Sequence, residues 1–194
     1  MITIITNKIN TLNQTSYNSF IDSLNLWQCQ CSCGHHGTLV KHGYYLRNLK
    51  GCDEIMIRLS ILRVKCSHCG KTHAILPSCI VPYSCISLQD HVDIIYNSMN
   101  GKTQEEIMKR TPLIDESNIS YILRIFKRHW EQRLFAFSIS LKCDISMLVQ
   151  ECFQHCSRQF MQFKSTSNIQ SIPIHITKLY VMWILSYTKE KFIF

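Results

Sequence analysis

The sequence predicts an α+β protein: a small antiparallel sheet in the first half, then a helical region and a helical tail. Three observations predict it. Period-2 alternation runs through Glu54–Lys65, with Ile55, Ile57, Leu59 and Ile61 on one face and Met56, Arg58, Ser60 and Leu62 on the other. Cysteine–glycine clusters bracket that strand, at 28–37 and 66–71. After the 78–86 stretch the pattern changes to helical, with Ser87 as a cap. At 194 residues the chain is long enough for one good core or two small domains.

Taken in order, residues 1–27 form an Asn/Thr/Ser-rich leader in which Ser19–Trp27 is a short helix or an extended stretch. Residues 28–77 form the sheet unit. Leu39–Leu46 reads as a strand, Asn48–Asp53 has turn chemistry, and Thr72–Leu76 is a short strand stopped by Pro77. Residues 78–86 read as a linker anchored by Ile80, Val81, Tyr83 and Ile86. Ser87 caps a helix through Asn97. Thr103 with Glu106 three residues on is a capping box, and that helix ends at Thr111–Pro112. Ser117 caps a third helix to about Leu134, with Ile119 or Ile122, Leu123, Phe126 and Trp130 facing inward. Three short helices over 87–134 fit a helix-turn-helix. In the tail, 135–194, a helix is expected over Ile145–Phe163.

Composition narrows the function. The formal charge of +8 favours a polyanionic partner. Lys41, Arg47, Lys50, Arg58, Arg63, Lys65 and Lys71 stand against only Asp53 and Glu54 in residues 40–73, and Arg124, Lys127, Arg128 and Arg133 form a second cluster. No secretory signal is visible. The longest apolar run, Leu179–Leu185, falls far short of the roughly 20 residues of a membrane span. A cytosolic location is expected, where eleven cysteines read as metal ligands and buried thiols rather than disulfides.

The most specific motif is Cys66-Ser-His-Cys69-Gly70-Lys71. Zinc takes four ligands in a tetrahedron, and two cysteines three positions apart can share one ion in a tight turn. Cys33-Gly34 mirrors Cys69-Gly70, so Cys33 is a ligand of the second knuckle. Position 30 is Gln, so the partner of Cys33 is Cys31, with Cys29 in reserve. The knuckles stand farther apart than the about 15–20 residues of the tightest pattern, which a long β-hairpin would absorb. One structural zinc ion on Cys31, Cys33, Cys66 and Cys69 is the expectation. His35, His36 and His68 read as solvent-facing, and His42 and His73 as strand residues with ordinary hydrogen bonds. Cys52, Cys79, Cys85, Cys143, Cys152 and Cys156 read as small buried hydrophobes. Cys152, His155 and Cys156 look like a helical metal cluster but lack a second pair to complete four ligands.

In a helix-turn-helix the second helix enters the major groove and reads it from its N-terminal end. Ser117, Asn118, Ser120 and Tyr121 would meet bases or phosphates, and Arg124, Lys127 and Arg128 the backbone. Arg47 and Lys50, interleaved with His42, Tyr44 and Tyr45, would add phosphate contact and stacking. Acidic residues are few and scattered and no phosphate-cradling glycine loop is present, so a catalytic role is not expected.

The segments CSCGHHGTLVKHGYYLR and ILRVKCSHCGKTHAILPSCIVPY, with NISYILRIFKRHW and CFQHCSRQFMQFKST, resemble an uncharacterised zinc-ribbon family of low-GC Gram-positive bacteria, often found beside insertion elements. The resemblance covers most of residues 29–166. It implies a cysteine-ligated ribbon joined to a helix-turn-helix, like the N-terminal part of some transposases without their catalytic domain. The Cys-x-Cys-Gly form of the first knuckle in that family favours Cys31 and Cys33. The leading expectation is therefore a non-catalytic, zinc-binding, DNA-binding protein associated with a transposable element. A module recruiting a transposase or polymerase is second, and a thiol-redox or metal sensor third.

Overall fold

In the computed structural model, residues 1–6, 12–50 and 56–162 are described. The strands are β1 (Ile2–Ile4), β2 (Leu39–Lys50), β3 (Met56–Cys66) and β4 (Thr72–Pro77). The helices are α1 (Gln14–Asp22), α2 (Leu88–Met99), α3 (Gln104–Met108), α4 (Glu116–Ile125), α5 (Glu131–Ala136) and α6 (Ile145–Cys156). A mixed sheet thus precedes a largely helical region, which is an α+β architecture.

The sheet order is β1-β4-β3-β2, with β1 parallel to β4 and the other pairs antiparallel. Strand β1, near the start of the 1–27 stretch, is thus an edge strand of the sheet. Asn13 and Ser16 form a capping box at the start of α1, which lays Tyr17 and Phe20 on the sheet. The Tyr17 hydroxyl accepts from the Leu62 amide at 2.9 Å and donates to the Ile75 carbonyl at 3.0 Å. The β3–β4 register runs from Lys65↔Thr72 to Arg63↔Ala74, so Leu62 and Ile75 would be the next pair. The phenol is spliced into the ladder where the two strands diverge. Burial pushes its pKa up, so it remains a neutral donor.

Strand β3 buries different faces in its two halves. Leu59 and Ile61 are buried, and then Leu62, Val64 and Cys66. Because side chains alternate, these two sets point to opposite sides. Both sets belong to one apolar cluster with Tyr17, Phe20 and Ile80. The alternation expected from the sequence holds up to Ile61, but Leu62, expected outside, is fully buried. Opposite this change, β2 carries an extra residue at His42–Gly43, a β-bulge between the Lys41↔Val64 and Tyr44↔Leu62 pairs. The strand continues to Lys50, through the Asn48 expected to open a turn; residues 51–55 lie outside the described residues.

The 78–87 segment is tied down from several sides. Arg47 donates through Nη2 to the carbonyls of Val81 at 2.7 Å and Ser84 at 2.5 Å. The Lys50 amide donates to the Cys85 carbonyl at 2.7 Å. Gln159, fully buried, donates to the Ser78 carbonyl at 2.5 Å. These bonds satisfy carbonyls that an irregular buried segment would otherwise leave unpaired.

Ser87 caps α2, and Thr103 with Glu106 forms the expected capping box on α3. The third helix departs from expectation at its start. Its cap is Asp115, whose Oδ1 accepts from the Asn118 amide at 2.9 Å; Ser117 lies inside the helix and donates to the same carboxylate. An aspartate offers a stronger acceptor to the free amides and a charge that suits the helix dipole. The helix then passes through a π-helical turn, Phe126–Trp130, into α5. Ile119, Ile122, Phe126 and Trp130 all face the core, as expected, while Leu123 is only partly buried. Asp144 caps α6, which ends at Cys156 with Ser157 in the left-handed region, short of the expected Phe163. Phe163 and the rest of the tail lie outside the described residues.

Candidate metal centre

The β2–β3 hairpin and the start of β4 bring the two knuckles together. Cys66 ends β3 and pairs with Leu39, the first residue of β2, so the chain before β2 meets the chain after β3. The Ser67 amide donates to the Thr38 carbonyl at 2.8 Å and locks that junction.

The knuckles are near-copies that differ by one residue. In the second, the Gly70 amide donates to the Cys66 carbonyl at 2.9 Å, across four positions from cysteine to glycine. In the first, the Gly34 amide donates to the Cys31 carbonyl at 2.9 Å, across three. The shorter turn is what Cys-x-Cys requires. Both glycines have positive φ, +90° and +71°, and a Cβ on either would meet nothing within 4 Å. Backbone conformation, not space, demands glycine at these two positions.

Sγ atoms of Cys31, Cys33, Cys66 and Cys69 all lie within 4.8 Å of one another. Cys31 and Cys69 are 3.6 Å apart, Cys33 and Cys66 3.8 Å. A tetrahedron with Zn–S bonds of 2.3 Å has edges of about 3.8 Å. The four thiols therefore fit one zinc ion, and the donor set is that of a closed structural site. Cys29 is excluded from it: its sulfur lies 3.8 Å from the Asn25 carbonyl, and burial pushes its thiol pKa up.

Two neighbours support the sulfurs. The Thr38 hydroxyl is 3.2 Å from Cys66 Sγ, and His73 Nε2 is 3.2 Å from Cys31 Sγ. Thr38, with the Cys69 amide, draws the Cys66 thiol down to about 6. The Cys33 amide draws Cys31 down as well. Cys69 goes the other way: the Lys71 amide pulls it down, but burial and the three neighbouring sulfurs carry it up to about 11. Such a cluster ionises in steps, and a cation at its centre removes the conflict. His73, expected as an ordinary strand residue, is thus a buried partner of a metal ligand. The signal was its place seven positions after Cys66, opposite Val64 in the β3–β4 register.

The remaining cysteines are not gathered. Cys152 is fully buried, with its thiol pKa pushed up, but Cys85 is exposed and Cys143 and Cys156 are half-buried. Among the described residues none of these joins a metal-binding group. His155 stacks on Phe137 and sits 3.4 Å from Glu151 instead. Cys52 lies outside the described residues.

The nucleic-acid candidates are separated by the fold into free and engaged groups. Ser117, Ser120, Tyr121, Arg124, Lys127 and Arg128 are exposed along α4 and its π-helical extension; Asn118 is half-buried. Arg124 lies over the Tyr121 ring, 5.5 Å from its centroid. Ser120 shares hydrogen bonds with Gln104 of α3. Arg47 is committed to the Val81 and Ser84 carbonyls, and Lys50 pairs with Asp115 at 3.5 Å.

The comparison with known families covers this same stretch. Residues 27–118 match a Domain of unknown function (DUF6431). The matched stretch holds both knuckles, β2 to β4, α2, α3 and the first residues of α4. No curated protein and no solved structure matches the chain. Among the described residues no helix is long and apolar enough to cross a membrane.

Proposed function

We propose that the chain is a non-catalytic nucleic-acid-binding protein in which zinc fixes the sheet and α4 is presented to duplex DNA. The observation that carries this reading is the distribution of charge. Strands β2, β3 and β4 hold Lys41, Arg47, Lys50, Arg58, Arg63 and Lys65 and no acidic residue. The Lys50–Asp115 pair, at 3.5 Å, joins the end of β2 to the start of α4, the helix that carries the second basic cluster. A polyanion meeting both would release counterions from each.

Within this reading α3 and α4 act as a helix-turn-helix, with α4 in the major groove. Ser117, Ser120 and Tyr121 approach base edges, and Arg124, Lys127 and Arg128 neutralise phosphates. Arg47 and Lys50 act at one remove, by fixing the sheet against the helices. The family resemblance supports a role beside a transposable element.

A second reading, docking of a protein such as a transposase, draws on exposed apolar side chains. Tyr44, Leu46 and Met56 are all more than half exposed, and the register puts them on one face of the sheet. Such a patch suits a protein partner.

Titration of zinc-loaded protein against labelled duplex DNA at several salt concentrations separates the two. The leading reading expects log affinity to fall linearly with log salt, by about 0.9 per phosphate neutralised. Replacing Arg124, Lys127 and Arg128 together by Ala should flatten that slope by two to three contacts. Binding that ignores salt, or a slope unchanged in the triple variant, would overturn the placement of α4.

A further inference from the structure

Two exposed histidines, one from each knuckle, meet beside the zinc site. His35 follows Gly34, and His68 lies between Cys66 and Cys69. Their rings stack with centroids 3.6 Å apart and planes 22° from parallel. Each offers a ring nitrogen that lies, with Cys33 Sγ, in a group of three donor atoms within 4.8 Å of one another. Cys33 is half-buried, as is Cys69, whereas Cys31 and Cys66 are buried; of the four sulfurs it is that of Cys33 that groups with the two histidines.

We propose that Cys33, His35 and His68 form a second metal site, open and exchangeable, which shares Cys33 with the structural zinc. A zinc-bound thiolate keeps lone pairs, and a sulfur on the solvent side of its cluster can bridge to a second ion. Imidazole and thiolate together select a borderline divalent ion such as Zn2+, Co2+ or Ni2+. Three protein donors leave a fourth position for water or an outside ligand, the arrangement of an open zinc site. Stacked rings do not point their lone pairs at one centre. Both are exposed, and the imidazole torsion is broad, so a rotation about each Cβ–Cγ bond turns a nitrogen from the stack toward Cys33. The backbone that carries the rings holds its position: the Cys31 amide donates to the His35 carbonyl at 2.9 Å, and Ser67 is bonded to Thr38.

This inference rests on the four-cysteine site being filled. It makes the ribbon a zinc-holding element with a loading position at its surface, where an ion can wait, exchange or meet a ligand from another molecule.

The test is a titration of protein already holding one zinc per chain with further Zn2+, read by a competing chromophoric chelator. Co2+ is then used in the same way, with the thiolate charge-transfer bands as a second readout. Wild type is expected to take a second equivalent that a mild chelator removes while the first stays bound. His35→Ala and His68→Ala should each weaken the second equivalent at least tenfold and leave the first in place. Saturation of wild type at one equivalent would overturn the proposal, as would a second equivalent that both variants bind as well as wild type. Loss of the first equivalent in wild type would instead overturn the four-cysteine site itself.

Discussion

The sheet unit and the helical unit each bury an apolar cluster, but they close it differently. Around the sheet, Tyr17, Leu59, Ile61, Leu62, Val64 and Ile75 are fully buried, and the cluster runs out into Cys29, Cys31 and Cys66 at one end. The helical cluster ends in large side chains: Trp130 packs edge-on against Phe160 at 5.2 Å, and Phe126 packs edge-on against the same ring. A small sheet cannot bury enough surface to hold a hairpin this long and two tight turns together. Metal bonds supply that closure in one unit, and aromatic packing supplies it in the other.

Removing the metal is the largest expected effect and the most direct way to break the comparison. Structural zinc contributes on the order of 10 kcal/mol or more to a small ribbon. Cys66→Ser and Cys33→Ser are each expected to abolish zinc binding, whereas Cys29→Ser should retain it. Hydrogen exchange should then speed up across the knuckles and the nearby ends of β2 and β3, with α2, α4 and α6 still protected. Loss of protection in the helices as well would mean that the two clusters are a single cooperative unit. Acid should act in the same direction as chelation. The Cys66 thiol is drawn down to about 6, below its usual value, so its thiolate is available above that pH and is lost as pH falls through it. Protons compete with zinc for all four thiolates, so zinc affinity is expected to fall steadily as pH is lowered.

Trp130→Ala tests the other closure. Phe or Trp to Ala in a core costs about 3–5 kcal/mol, and Trp130 is 2 % exposed. Thermal unfolding of the helical part should become much easier, while zinc content stays at one per chain. A variant that loses zinc would show that the aromatic cluster also shapes the metal centre.

What the sequence disclosed follows the same division. The metal end was legible because zinc imposes a spacing: Cys66, Cys69 and Gly70 announce themselves, and Cys33-Gly34 repeats the pattern. Ser87 and the Thr103–Glu106 box were legible because capping is local chemistry. The role of residues 1–27 was not. Strand β1 is three residues long and its partner lies more than seventy residues away, while α1 shows only Tyr17, Phe20 and Ile21 among polar residues. Nothing local reveals that a tyrosine hydroxyl bridges two strands. The phase change in β3 was hidden for a similar reason, since it lies opposite a bulge in β2. Asp115 was passed over for Ser117 because both are good caps, and only the folded backbone says which residue is extended.

The junction between the units sharpens the comparison with a smaller effect. Arg47 was expected to reach phosphate, but its guanidinium holds two carbonyls of the 78–87 segment. Charged hydrogen bonds of this kind contribute about 1.5–3 kcal/mol. Arg47→Ala is expected to lower stability by about 2 kcal/mol and to leave the salt dependence of DNA binding unchanged. Arg47→Lys should rescue only part of the loss, because a compact ammonium lacks the guanidinium's pre-organised fork. A salt slope that falls by one contact in Arg47→Ala would return this residue to the nucleic-acid interface.

Asp115 carries the smallest effect, and it ties the cap to the proposed interface. Ser117 and the Asn118 amide hold its carboxyl well below the usual carboxylate range, and Lys50 adds to this. With the folded value depressed, its contribution to stability is present above the ordinary carboxylate pKa and fades as pH falls below it. Asp115→Ala should lower the melting temperature slightly at neutral pH and not at all in acid, whereas Ser117→Ala should change little at either. Asp115→Asn isolates the charge, since asparagine caps a helix about as well. That variant frees Lys50 from its carboxylate while keeping α4 in place. DNA affinity should then rise, with a salt slope steeper by about one contact. If Asp115→Asn binds no more tightly than wild type, Lys50 and the start of α4 do not face the same phosphate backbone, and the basic sheet and the helix are separate surfaces.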